Sequence, residues 1–395
     1  MGADQHIDCL VVGGGPAGLA AAVTAARRGL RVSLVERWDR LGGTPVAGFH
    51  NQLCGYYAHD PGQSFRVLNG GFVTEFVHRL DGRIPRRGQR VGRVEIHPFR
   101  WADFETVSRE MAAGEGGLDV CLATAFAGAR TACRRVTEVD LRSASGRRWT
   151  ARPRAVIDCS GGAVIQAVGA GWPESPSDPH PAVGFSVSVS GLKNETDALS
   201  PVRVPYVIRQ RLTRVKDQVP HWAAYTTFSP AGPAGEGVLR LNIPAAESAA
   251  VSPATVAERL VGWLREDLDM FADGVIRQMS PWVLPRDGHR LMGRDVLTEQ
   301  DVMSGKQPGE TCVKSAWPIE FWGAEGRPEY GYMAPGACYG IGRGCLRALA
   351  VDNLFAAGRC LSAEPRALAS CRVAGTSFST GEAAAEEAVT YLNNG

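Results

Sequence analysis

Glycines at 13, 15 and 18, with Pro16 and Ala17 between them, and a glutamate at 36 are the residues whose types and spacing carry chemistry in this sequence. The run Gly13-Gly14-Gly15-Pro16-Ala17-Gly18 fits G-x-G-x-x-G. In that pattern the first glycine allows a tight turn, the second lets backbone approach a pyrophosphate, and the third lets helix and strand pack closely. Glu36 follows 18 residues after Gly18, where a carboxylate accepts ribose 2′ and 3′ hydroxyls and repels a 2′-phosphate. Adenosine with a free 2′-OH is implied, and NAD and FAD share that half.

Such a loop works only between a strand and a helix. Ile7 to Val12 is a short aliphatic run suited to a strand buried on both faces. An alanine-rich helix then stops at Gly29, and a second buried strand, Arg31 to Val35, ends at Glu36. Directly after it, Arg37-Trp38-Asp39-Arg40-Leu41-Gly42-Gly43-Thr44 places Gly43 and Thr44 along a second phosphate and a ribityl chain. Near the other end, Asp352 to Cys360 reads as a short strand ending in a turn that contains Gly358 and Arg359, and Thr376 to Leu392 reads as an alanine-rich helix. Contacts from both ends of the chain suit a long dinucleotide such as FAD.

With 395 residues the chain exceeds one ordinary core, so two domains are expected. Its 44% hydrophobic and 21% charged residues exclude a disordered or coiled-coil chain. The 43 basic and 41 acidic residues leave a formal charge of +2, without the footprint of a nucleic-acid binder. Ten scattered cysteines without a C-x-x-C pair point to a reducing cytoplasm. No leader is visible at the start, and the apolar stretch Leu10 to Ala26 is broken by glycines and a proline, so no membrane span is expected. The eight histidines form neither H-x-x-x-H nor H-E-x-x-H, so no metal site is expected.

These blocks resemble the FAD-dependent oxidoreductases with a glutathione-reductase-like flavin domain. The resemblance rests on G-G-G-P-A-G at the start, L-G-G-T after the acidic residue, D-x-S-G at Asp158 to Gly161, and A-G-R-C-x-S at Ala357 to Ser362. It implies an α/β architecture: a discontinuous Rossmann-like FAD-binding domain from 1–60, 90–175 and 340–395, with an α+β substrate domain from 61–89 and 176–339. It also implies that Ser160 and Gly161 bring the chain back beside the adenosine. Phe126, in a strand from Val120 to Phe126, would offer its backbone to the adenine edge. The helix beginning shortly after Val373 would face flavin N1 and O2, with Arg372 adding positive charge. By the same placement, His50 and Tyr57 pass near the isoalloxazine as proton donor or acceptor.

The departures narrow the chemistry. Pro45-Val46-Ala47 lacks the cysteine pair of disulfide reductases, and no second G-x-G-x-x-G marks a separate NAD(P)H domain. Ala357-Gly358-Arg359-Cys360 stands where aromatic hydroxylases of the hydroxybenzoate type usually have Gly-Asp, which weakens a hydroxylase reading. Trp317 to Trp322 is rich in aromatics that pack a core or wall a pocket, and Arg286 to Arg290 reads mainly as a structural turn, with contact to a substrate anion as the alternative. From about 176 to 339, runs such as Ala182 to Leu192 and Gly237 to Ile243 read as strands covering a substrate, and Pro253 to Phe271 as helical with Ser252 or Thr255 as cap. The function expected is hydride transfer between flavin N5 and a small organic substrate, with oxygen or NAD(P)H as external partner. Two alternatives stay open: a flavin-dependent monooxygenase acting on a peptide or natural-product intermediate, and a flavin-binding partner protein without turnover.

Overall fold

Every position of Val32–Val35, and the last four of Ile7–Val12, is buried, because these strands lie inside a parallel sheet covered on both faces. From one edge to the other the sheet runs Leu354–Ala356, Pro153–Asp158, Ile7–Val12, Val32–Val35 and Leu118–Cys121, all parallel. The computed structural model describes residues 7–63, 65–173, 180–193, 199–215, 219–231, 235–323 and 327–394. The opening hexapeptide and the expected domain crossing at 175/176 lie outside the described residues.

The crossover helix Pro16–Arg27 and the helix Ala374–Asn394 cover one face of this sheet. Their alanines, among them Ala17, Ala20, Ala21, Ala384, Ala385 and Ala388, are buried in one core. The axes approach so closely that a Cβ at Gly381 would stand 2.0 Å from the carbonyl oxygen of Ala17. Only glycine fits there. A three-stranded antiparallel meander, Thr124–Ala132, Arg135–Ser143 and Arg148–Ala151, packs toward the other face. The expected strand from Val120 to Phe126 is two strands: Leu118–Cys121 ends in the sheet, the chain turns at Leu122 and Ala123 with Ala123 at φ 46°, and Phe126 pairs with Leu141 in the meander.

A second sheet is wholly antiparallel, in the order Thr227–Pro230, Gly237–Ile243, Val183–Ser190 and Val275–Met279. Its strands alternate. Leu239, Leu241 and Ile243 bury themselves with Val187, Val189 and residues of the helices Ser200–Arg214 and Pro253–Asp267. Arg240 and Asn242, one position out of step, point from the opposite face. Ser252 caps the second of these helices by accepting from Thr255 N at 3.4 Å. The first of them contains Pro205, which removes one backbone donor from its interior and hides the helix from a reading of breakers.

The domain boundaries drawn from sequence need redrawing, and we propose a smaller second unit. The helix Phe72–Arg83, assigned to the substrate side, packs Phe72 and Phe76 against Phe104 and Phe378 in the core of the nucleotide side. Leu297, Val313, Ile319, Tyr339 and Ile341 belong to that same core. The separate cluster is confined to residues between Phe185 and Phe271, with Met279 and Val283 packed against it. Among the described residues no helix is long and apolar enough to cross a membrane.

Phe378 is fully buried where three other aromatic rings meet. Phe378→Ala is expected to lower stability by about 3–5 kcal/mol. Urea denaturation would show this as a lower midpoint at unchanged slope.

Candidate active site

Glu36 sits at the end of the second strand and is 9% exposed. Its Oε2 accepts the N–H of Gly14 at 2.6 Å, and its Oε1 accepts the N–H of Trp38 at 2.8 Å. The carboxylate is therefore held beside the glycine loop with lone pairs left for a sugar hydroxyl. Gly13 N donates to Val35 O at 2.7 Å, which joins the loop to the strand. Pro16 opens the helix, Gly15 is its N-cap, and no side chain caps it, so first-turn N–H groups are available to an anion. Gly43 lies over the loop: a Cβ there would stand 2.7 Å from Gly15 Cα. Thr44 begins the short helix Thr44–Ala47. The cradle and its carboxylate fit the adenosine diphosphate half of FAD.

The far end of the chain returns to the same loop. Gly358 N donates to Thr380 Oγ1 at 3.1 Å on the C-terminal helix. Arg359 donates to Pro285 O, and burial lowers its pKa. The positive charge of Arg37 nearby lowers it further. Arg37 also lies over the Trp282 ring, 4.7 Å from its centroid. Ser160 lies in a turn closed on Asp158. Its hydroxyl donates to Asp158 Oδ1 at 2.6 Å and accepts from Ala163 N at 2.9 Å. Asp158, wholly buried, also accepts from Ser160 N, Val164 N and Ile165 N at 2.8–3.0 Å. The D-x-S-G block is thus a self-satisfied turn. Gly161 O accepts from His289 N at 3.0 Å, which ties this turn to the 286–290 segment.

Past Gly43 the chain enters a cleft roofed by the polar face of the second sheet. Ser280, hydrogen-bonded through Oγ to Ala47 O at 2.9 Å, fastens the roof. Three guanidiniums converge here. Arg240 donates to Ser229 Oγ at 2.6 Å, Phe49 O at 3.3 Å and Asn51 Oδ1 at 3.4 Å. Arg286 donates to Ala182 O and Asn242 Oδ1 and stacks over Trp322 at 4.8 Å. Arg372 donates to Glu320 O at 3.0 Å and immediately precedes Val373 and the C-terminal helix. Burial lowers Arg240 to about 10 and Arg286 to about 9, so both remain cationic at neutral pH. His50 stands among them, its pKa lowered to about 3 by burial first and then by Arg240, Arg286 and Arg372. The carboxylate of Glu320 is fixed by the indole N–H groups of Trp317 at 3.2 Å and Trp322 at 2.9 Å.

Tyr57 does not join His50. Gly55 is wedged against Val373 and Thr376, and the chain then turns away. The Tyr57 hydroxyl pairs with His97 Nδ1 at 3.0 Å, and His97 Nε2 pairs with Asp81 Oδ1 at 2.9 Å. Burial raises the Tyr57 pKa well above the usual phenol range. Phe126 sits in the meander two residues past Thr124, whose N–H donates to Glu36 O at 2.9 Å. Residues that the sequence reading passed over are Arg240 and Glu320. The signal for Arg240 was the alternation Leu239-Arg240-Leu241-Asn242-Ile243, in which the out-of-phase arginine must face away from the helices.

The chain matches the family described as FAD dependent oxidoreductase over residues 8–395 and belongs to it. It is an enzyme of that class, and FAD is its cofactor. Aklavinone 12-hydroxylase of Streptomyces peucetius subsp. caesius is 34% identical over 110 residues, which are 24% of this chain and 22% of that protein. Among solved structures, the flavin-dependent brominase Bmp2 aligns over 99% of this chain and 80% of its own at 12% identity, with a TM-score of 0.52. A geranylgeranyl bacteriochlorophyll reductase-like protein of Thermoplasma acidophilum aligns over 99% and 79% at 12% identity, with a TM-score of 0.50. These likenesses are of fold.

Glu36→Ala removes the carboxylate that accepts the N–H groups of Gly14 and Trp38. It is expected to weaken FAD binding by about tenfold or more, measured as flavin retained after gel filtration and by titration of the apoprotein. His50 gives a second expectation. Its folded pKa of about 3 lies below the ordinary histidine value of 6.5, so the unfolded chain binds the extra proton first. Stability is then full above pH 6.5 and falls toward pH 3 by up to about 1.4 kcal/mol per pH unit. His50→Gln should flatten the loss of stability across that window in denaturation curves run at successive pH values.

Proposed function

We propose that this enzyme moves a hydride between flavin N5 and a small organic molecule held in the cleft beneath the second sheet. The observation that carries the reading is that buried His50 lies within electrostatic reach of Arg372, which immediately precedes the C-terminal helix. Bound FAD supplies two-electron chemistry at N5. The protein's own part is positioning and electrostatics. Gly13, Gly15, Pro16, Ala17 and Gly18 would hold the diphosphate at the helix N-terminus, and Glu36 the ribose. Gly43 and Thr44 would flank the ribityl chain, with Arg37, Gly358 and Arg359 on the opposite side.

Val373 and the helix after it would present backbone N–H groups to the pyrimidine edge, and Arg372 would stabilise negative charge that develops there. His50 is uncharged at working pH and offers one N–H and one lone pair to a substrate hydroxyl or carbonyl. Its depressed pKa suits it to orienting a polar group rather than carrying a proton as imidazolium. The roof excludes water, which strengthens each of these interactions.

A second reading, monooxygenation of a natural-product intermediate, is favoured by the 34% identity with a hydroxylase over 110 residues. It would need NAD(P)H as electron donor and oxygen as co-substrate. Anaerobic mixing of the FAD-loaded enzyme with pooled metabolite fractions separates the two. The hydride-transfer reading expects flavin bleaching without NAD(P)H. It is overturned if anaerobic bleaching requires NAD(P)H and, once air is admitted, the product gains an oxygen atom from O2.

A further inference from the structure

One stretch of the roof, residues 280–285, reaches the nucleotide side at two cations. The stretch is pinned near both ends to the strand Val183–Ser190. Ser280 N donates to Ser186 O at 2.8 Å, and Leu284 exchanges backbone hydrogen bonds with Gly184 at 2.7 and 2.8 Å. Between these pins the guanidinium of Arg37 lies over the Trp282 ring, 4.7 Å from its centroid. Trp38 meets the same ring edge to face, with centroids 5.4 Å apart and planes at 84°. Just past the second pin, Pro285 O accepts from the guanidinium of Arg359. The roof thus holds one arginine from each end of the chain.

Neither cation has a carboxylate bonded to it. Among the described residues the Arg37 side chain makes no hydrogen bond or ion pair, and Arg359 donates to a neutral carbonyl oxygen. The nearby Asp39 and Glu105 pair with Arg40 instead, at 3.8 and 3.3 Å. Burial lowers the pKa of Arg359; Asp287 opposes that shift, and the charges of Arg37 and Arg372 add to it. Arg37 and Arg359 are therefore within electrostatic reach of each other, and two like charges held in a crevice favour an anion beside them. Stacking engages only the face of a guanidinium and leaves its in-plane N–H donors for phosphate oxygens. An arginine already held flat also loses less rotamer freedom when it binds.

Resting on the dinucleotide placement given under the proposed function, we propose that Trp282 is a positioning residue for the cofactor: it holds the Arg37 guanidinium flat, with its donor edge open to the diphosphate. Pro285 O steadies Arg359 in the same way. The roof then takes part in retaining FAD as well as in covering the cleft. Trp282 acts through Arg37, so its contribution exists only while that guanidinium is present.

The full chain, freed of flavin, is titrated with ADP and with adenosine by calorimetry, and the rate of FAD release is followed on the holoenzyme. Arg37→Ala is expected to weaken ADP binding by about tenfold or more, and Trp282→Ala by about threefold to tenfold. Adenosine, which lacks the diphosphate, is expected to stay within about twofold of the parent in both. The double variant should bind ADP no more weakly than Arg37→Ala alone. Trp282→Phe keeps a ring face and should bind ADP within about twofold of the parent, whereas Trp282→Leu keeps apolar bulk without the face and should behave like Trp282→Ala. FAD release is expected to quicken in the same order. Losses that multiply in the double variant would overturn the proposal, as would a leucine variant that binds ADP like the parent or an equal weakening of ADP and adenosine. If Trp282→Ala does not fold, the phenylalanine and leucine variants decide the matter. A parent chain that binds neither ADP nor adenosine overturns the dinucleotide placement itself, which these titrations tell apart from a failure of Trp282 alone.

Discussion

Glu36 joins three parts of the molecule at one residue. Its backbone N–H donates to Cys121 O at 3.0 Å and its carbonyl accepts from Thr124 N at 2.9 Å, so it holds the third strand of the parallel sheet and the entry to the meander. Its carboxylate meanwhile holds the glycine loop and Trp38. A single buried acid thus sets the distance between the phosphate loop and the place where an adenosine must lie. Charged acceptors of backbone N–H groups form the stronger class of hydrogen bond, and burial raises the cost of breaking them. The 37–44 segment starts from this residue, and the position of the cleft follows from that segment.

The cleft shows how a pleated strand assigns chemistry by parity. Residues 239, 241 and 243 build the core of the second unit, and residues 240 and 242 are turned to the opposite face. A one-residue slip of Gly237–Ile243 would bury Arg240 among leucines and empty the roof of its charge. Neighbouring strands pair with it over seven and four positions, which locks the register. Burial first, and then the positive charge of Arg240, Arg286 and Arg372, lowers the pKa of His50.

Much of the nucleotide side was legible because its signals are local. Glycine spacing, a buried strand on either side and an acid at a fixed distance all lie within forty residues. The active-site half was less legible because its groups come from distant segments. Arg240 meets His50, and Glu320 meets Arg286 and Arg372, through tertiary packing that no periodicity announces. The pairing of Tyr57 with His97, which is bonded in turn to Asp81, was hidden for a related reason: these partners lie 40 and 24 positions on. At Ser160 the motif was legible and the bond from its hydroxyl to Asp158 was not.

The close pairing of helix Pro16–Arg27 with helix Ala374–Asn394 also sets the order of assembly. Ala17 and Gly381 touch across 364 positions of sequence, so the first strand, turn and helix leave the ribosome long before the surface that covers them exists. The early segment must wait with its alanine face uncovered while the meander and the roof sheet are made. Contacts of such long range slow folding and prolong exposure to aggregation. Newly made chains therefore depend, for most of their synthesis, on whatever shields that face until the last helix arrives.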